Sequence, residues 1–119
     1  MSTERELTEA AARANLLNYY WNERLECHEV WRDGERVKQA WVPRKDDGDS
    51  FRLAAALRIS VEHNHAEENR PWVCASIDGG PLRMRKAFVE DVPDESQRAD
   101  RMRLAILRCA AAQAPKEAA

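Results

Sequence analysis

Cysteine is scarce and odd in number: Cys27, Cys74 and Cys109 stand far apart in 119 residues. A disulfide framework needs an even count in a short, loop-rich chain, so free, mostly buried thiols are expected instead. Glycine is scarcer than in an average protein, with four in the chain, and no glycine-rich phosphate loop can be assembled from them. Charge of one sign is also missing. Lys and Arg total 19 against 21 Asp and Glu, and the formal charge of −2 gives no global pull toward nucleic acid or an anionic membrane. No apolar run approaches the roughly 18–20 residues that span a bilayer. The opening Met1-Ser2-Thr3-Glu4-Arg5-Glu6 is polar and lacks the apolar stretch of a signal peptide. The expected location is the cytoplasm, with no membrane partner.

What is present suits an ordinary globular protein. Charged residues make up 34% and apolar residues 44%, in a chain long enough for one hydrophobic core and too short for two. A single domain is expected over residues 1–113, followed by a disordered tail over 114–119. Leu7, Ala10, Ala11, Ala14 and Leu17 recur at helical spacing, which predicts a helix from Thr3 to about Tyr19, fraying into Tyr19-Tyr20-Trp21. Alternating runs then predict strands at about 24–31 and 36–42. Asp33-Gly34 between them is the strongest short-range hairpin signal. Pro43 stops that ladder because it has no N–H to donate.

The acidic run Asp46-Asp47-Gly48-Asp49 predicts a turn whose carboxylates, Asp47 or Asp49, cap a helix over Phe51–Arg58. Gly48 suits a turn position with a positive backbone angle, and Trp41 and Leu53 are candidates to pack beneath it. Strands at 59–63, 71–77 and 82–89 follow. A last helix at about 95–112 is expected to bury Ala99, Met102, Ile106, Cys109 and Ala110, with Arg101, Arg103 and Arg108 outside. The expected class is α+β: an antiparallel sheet of about five strands packed with about three helices.

Two of these segments carry a resemblance. Trp41-x-Pro43-x-x-Asp46-Asp47-Gly48-Asp49-x-x-Arg52-Leu53-Ala54, followed by Ile59-x-Val61, resembles the signature of phage ABA sandwich domains, small α/β proteins of bacteriophages and prophages. Arg103-Leu104-Ala105-Ile106-Leu107-Arg108-Cys109-Ala110-Ala111 is similar to that family's closing arginine-alanine helix. The resemblance implies an α/β sandwich and a phage origin in a bacterial host, and brings no activity with it.

Four chemical readings compete. Asp46, Asp47 and Asp49 are oxygen ligands suited to Ca²⁺ or Mg²⁺, but their spacing is not that of a calcium loop, and helix capping is preferred. His63-Asn64-His65 places two imidazoles on one face of an extended segment, where they can share a transition metal with His28 or Cys27. That is the basis of the alternative function, a metal-dependent enzyme acting on nucleic acid. No second ligand pair at zinc spacing accompanies it, no cofactor is implied, and Cys27 and His28 face opposite ways as strand neighbours. Arg83 and Arg85, with Lys86 beside them, offer a basic strand face for nucleic acid, although no recognisable reader motif is present. Finally, Tyr20, Trp21 and Trp31 belong to an aromatic set large for one small core, and such side chains are enriched at interfaces. The preferred reading is a non-enzymatic protein that binds another protein, or itself through an open sheet edge or this aromatic cluster.

Overall fold

Thr3 starts the first helix with a reciprocal cap: its hydroxyl accepts from Glu6 N at 3.1 Å, and Glu6 Oε1 accepts from Thr3 N at 3.2 Å. The structure is a computed structural model and describes residues 2–65, 67–77 and 86–115. The first helix, α1, spans Glu4–Ala14. It stops earlier than its apolar period suggests, because Leu16 adopts the left-handed conformation at φ 55°. Leu17 N then donates to Ala12 O at 2.9 Å and Leu16 N to Arg13 O at 3.1 Å, a complete Schellman closure without glycine. Tyr19, Tyr20 and Trp21 are therefore not a frayed helix end. They lie in strand β1, Asn18–Asn22.

β1 pairs antiparallel with β2, Cys27–Trp31, which pairs with β3, Gln39–Trp41, around a turn where Gly34 sits at φ 88°. Helix α2, Asp47–Leu57, follows and ends in a second Schellman closure. Arg58 is left-handed at φ 55°, and Ile59 N donates to Ala54 O at 2.9 Å. Strands β4 (Ser60–His63), β5 (Trp72–Ile77) and β6 (Lys86–Asp91) form a second antiparallel meander. A short 3₁₀ turn, Glu95–Gln97, leads into α3, Arg98–Ala111.

The α+β class holds, but the expected sheet of about five strands is replaced by two three-stranded sheets among the described residues. The difference is physical: Asn18–Asn22 supplies an extra strand, and α2 separates β3 from β4 so that the two meanders do not join. One core nevertheless unites them. Val30 and Trp41 from the first sheet, Ala75 from the second, and Ala11, Leu53 and Leu107 from the three helices belong to a single buried cluster. Helix α3 packs against α1, α2, β5 and β6, so it buries more than one stripe: Ala105, Ile106, Leu107, Cys109 and Ala110. This corrects the expected pattern. Ala99 is exposed, whereas Arg103 keeps only 15% of its side chain accessible. No helix among the described residues is long and apolar enough to cross a membrane. Residues 116–119 of the expected tail lie outside the described residues.

Candidate protein-binding faces

Strand register decides which aromatic side chains meet. Pairing Tyr20 with Glu29 and Asn18 with Trp31 puts these four, with Asn22 and Cys27, on the outer face of the first sheet. The intervening residues Tyr19, Trp21, His28 and Val30 point the other way, toward the helices. Tyr20 and Trp31 contact edge to face, with ring centroids 6.0 Å apart. Lys38 Nζ sits 4.8 Å from each ring. The Tyr20 hydroxyl donates to the Glu29 carboxylate, which also accepts from Asn22 Nδ2 at 2.6 Å. That phenol bond holds the Glu29 carboxyl below its ordinary range and, in return, holds the Tyr20 phenol above its own. The result is a fixed aromatic and charged platform on which Tyr20 is 39% exposed. Tyr20 and Trp31 are brought together; Trp21 is not one of them. Trp21 lies half-buried on the inner face, edge-on to His28 at 5.0 Å and beneath the Arg5 guanidinium at 4.4 Å.

His28 is 3% exposed, and its Nε2 lies 2.9 Å from Glu9 Oε2 on α1. A buried histidine-carboxylate pair resembles half of a catalytic triad, but no nucleophile faces it among the described residues. Cys27 is on the opposite face of the strand, and the nearby Thr8 hydroxyl donates to Glu4 O at 2.8 Å. Burial pushes the Cys109 thiol up to about 11, with a smaller contribution from Cys74, so it is not poised as a thiolate. The histidine triplet also has partners within the chain. His63 Nδ1 faces Arg98 Nη1 at 3.0 Å, and His65 Nδ1 accepts from Glu67 N at 3.3 Å. Arg98 also donates to Asn64 Oδ1 at 2.8 Å and to Trp72 O at 3.1 Å, fastening the β4–β5 connection to the start of α3. Among the described residues, no three His, Cys, Asp or Glu side chains are grouped to hold a metal ion. Arg83 and Arg85 lie outside the described residues; Lys86 is exposed at the start of β6, opposite Ile77.

The acidic corner distributes its tasks differently from the expectation. Asp46, not Asp47 or Asp49, caps α2, its Oδ2 accepting from Asp49 N at 2.8 Å. Asp49 instead turns back and accepts from Val42 N at 2.9 Å. Gly48 is not at a positive backbone angle: it lies in the first helical turn, packed 3.2 Å from the Arg52 guanidinium and the Asp46 carboxylate as measured to an added Cβ. Asp47 is 78% exposed and receives Arg103 Nη1 at 2.5 Å, while Arg103 Nε donates to Arg44 O at 3.1 Å. Arg44 in turn binds Asp100 at 2.7 Å. Trp41 is buried beneath this corner with Leu53. The acidic corner and the terminal arginine helix, distant in sequence, are thus locked together.

Two apolar hollows mark the second sheet and its surroundings. One, of about 440 Å³, lies on the outer face of that sheet between Trp72, Cys74, Ala87 and Val89, and the Trp72 indole N–H is held by Glu68 at 2.8 Å. The other, of about 380 Å³, runs between α2, β4 and α3. Sequence reading missed Lys38, Glu29 and Arg98 as organisers. Glu29 and Lys38 fell within the expected strands at 24–31 and 36–42, and no sequence signal marked Arg98. No protein-family model matches the chain, and no curated protein matches it.

Proposed function

We propose that this chain is a small accessory protein of phage or prophage type that works in the cytoplasm of a bacterial host by binding another protein. The observation that carries this reading is the Tyr20–Trp31 pair, fixed on an open sheet face by Glu29, Asn22 and Lys38. Rigid aromatic groups with a polar handle are the side chains that dominate interface energetics. Here their rotamers are held before a partner arrives, which lowers the entropy lost on binding. The phage assignment rests on the resemblance of the acidic corner and the arginine-alanine helix. The contact of Asp47 with Arg103 supports reading those two motifs as one scaffold.

Affinity capture from a bacterial host lysate tests the proposal. The wild-type chain is expected to enrich a specific protein, and Trp31→Ala to weaken that capture roughly 30-fold, as loss of about 2 kcal/mol at a central aromatic implies. Equal recovery on the wild type and Trp31→Ala would remove the basis for the assignment. Stoichiometric metal in the purified protein, lost when His63 and His65 are replaced, would favour the enzymatic alternative.

A further inference from the structure

Helix α2 turns Leu53 and Ser50 into the protein, both almost fully buried. Its opposite side is open. Asp47, Phe51 and Ala55 follow one another at four-residue steps, and Arg58 comes three residues later at the left-handed helix end. These residues form one exposed stripe, and Phe51 alone is 74% exposed. Beside the stripe lies the hollow of about 380 Å³, floored by Ala54, Ile59, Val61, Met102 and Ile106. Strand β4 borders it, pairing only with β5 among the described strands, so the sheet stops short of covering α2.

We infer that this face binds a second copy of the same chain across a twofold axis that meets the open side of α2 midway between Phe51 and Ala55. The charge order of the stripe selects that occupant. Its start carries Asp46, which caps the helix, and Asp47, which accepts from Arg103 of its own chain yet stays 78% exposed and open to a second guanidinium; its end carries Arg58, which forms no ion pair among the described residues. An antiparallel copy in the register that lays Phe51 against Ala55 of the second copy sets Asp47 one residue away from Arg58, an offset the long arginine side chain spans. Large meets small, acid meets base, and the two helix dipoles oppose each other. Each Phe51 enters the apolar hollow of the other copy. A twofold interface must be self-complementary, and this stripe is so in both charge and size. The surface is separate from the Tyr20–Trp31 face, so the dimer does not depend on the partner proposed there.

Sedimentation velocity on the full chain, over a concentration series, tests it. The wild type is expected at twice the 13.7 kDa chain mass. Phe51→Glu should weaken dimerisation at least about 30-fold while leaving circular dichroism unchanged, since the side chain is exposed. Asp47→Arg and Arg58→Asp should each run as monomers, and an equimolar mixture of the two should dimerise, because the mixed pair sets opposite charges together twice. A wild type that stays monomeric, a dimer that survives Phe51→Glu, or charge-reversed chains that fail to recombine would overturn the inference. So would a monomer that uses Phe51 to hold a different protein. Loss of the dimer with capture through Trp31 intact separates the two proposals.

Discussion

The three carboxylates of the acidic corner should have unequal effects on stability, in an order set by what each one touches. Asp49→Ala removes the acceptor of the Val42 N–H, a group on the half-buried segment that joins β3 to α2. An orphaned donor of that kind costs about 1–3 kcal/mol, and the side chain also neutralises Arg52 one helical turn on. We expect a loss of about 2 kcal/mol. Asp46→Ala removes the helix cap and should cost about 1 kcal/mol. Within one copy, Asp47→Ala breaks only an ion pair whose acidic partner is 78% exposed, and Arg103 retains Arg44 O and lies 3.7 Å from Asp100. Solvent screening limits that loss to about 0.5 kcal/mol.

For a domain of this size about 4 °C of melting temperature accompanies each kcal/mol, so the expected shifts are about 8, 4 and 2 °C for Asp49, Asp46 and Asp47. Urea and thermal unfolding followed by tryptophan fluorescence and circular dichroism would read all three. Equal losses, or a largest loss at Asp47, would refute the assignment of tasks. The metal reading makes the opposite forecast: added Ca²⁺ or Mg²⁺ would raise the wild-type midpoint, and every alanine variant would lose that increment. A wild-type midpoint indifferent to either cation, with Asp49 losing most and Asp47 least, supports capping and backbone satisfaction.

Two further outcomes follow from local geometry. Leu16→Gly should stabilise the chain by about 1 kcal/mol, because Leu16 is left-handed at φ 55° and 79% exposed, so that glycine relieves strain and little packing is lost; an unchanged or lower unfolding midpoint would count against the Schellman closure of α1. In a Tyr19→Phe background, ultraviolet titration of Tyr20 should show a phenol above its ordinary 10.0 that returns toward that value in Glu29→Gln, and no return would deny the platform its central bond. The linked signs are opposite: the Glu29 contribution to stability is present above its unfolded pKa and fades as pH falls through the lowered folded value, whereas the Tyr20 contribution fades as pH rises through its raised one.

How much was legible depended on whether the signal was local. Asp33-Gly34 marks the reversal between β2 and β3, where Gly34 takes a positive φ and Glu35 N donates to Arg32 O at 3.0 Å, although the ladder closes only at Val30–Gln39, so β3 starts later than the expected 36. The end of α1 was illegible for the converse reason. Its Schellman closure uses Leu16 where glycine is the usual marker, so the helical period runs on through Leu17 without a break. That one misplacement assigned Tyr20 and Trp21 to a helix end and hid a strand, and with it the split into two sheets. The breadth of the α3 core was also hidden. A helix on a single sheet buries one stripe, but α3 packs against two helices as well, which the helix's own sequence does not announce.

The candidate face shows the same division within three residues. Tyr20, Trp21 and Trp31 were recognisable as aromatics in excess of a small core's needs, yet composition could not say which of them share a surface. Strand parity does: neighbours in β1 must diverge, so Tyr20 reaches the open face while Trp21 is sent toward His28 and α1. Trp31 joins Tyr20 because Asn18, two residues from Tyr20, is its partner in the ladder. A shift of one residue in that pairing would turn β1 over, burying Tyr20 and exposing Tyr19 and Trp21, while β2 kept its faces. The edge contact of Trp21 with His28 opposes that turn-over, and the Glu9–His28 bond, spanning 19 positions, holds the imidazole where Trp21 meets it. The same inner-face contacts that seat His28 between Glu9 and Trp21 therefore help to hold Tyr20 outward, and the binding face depends on packing that lies beneath it.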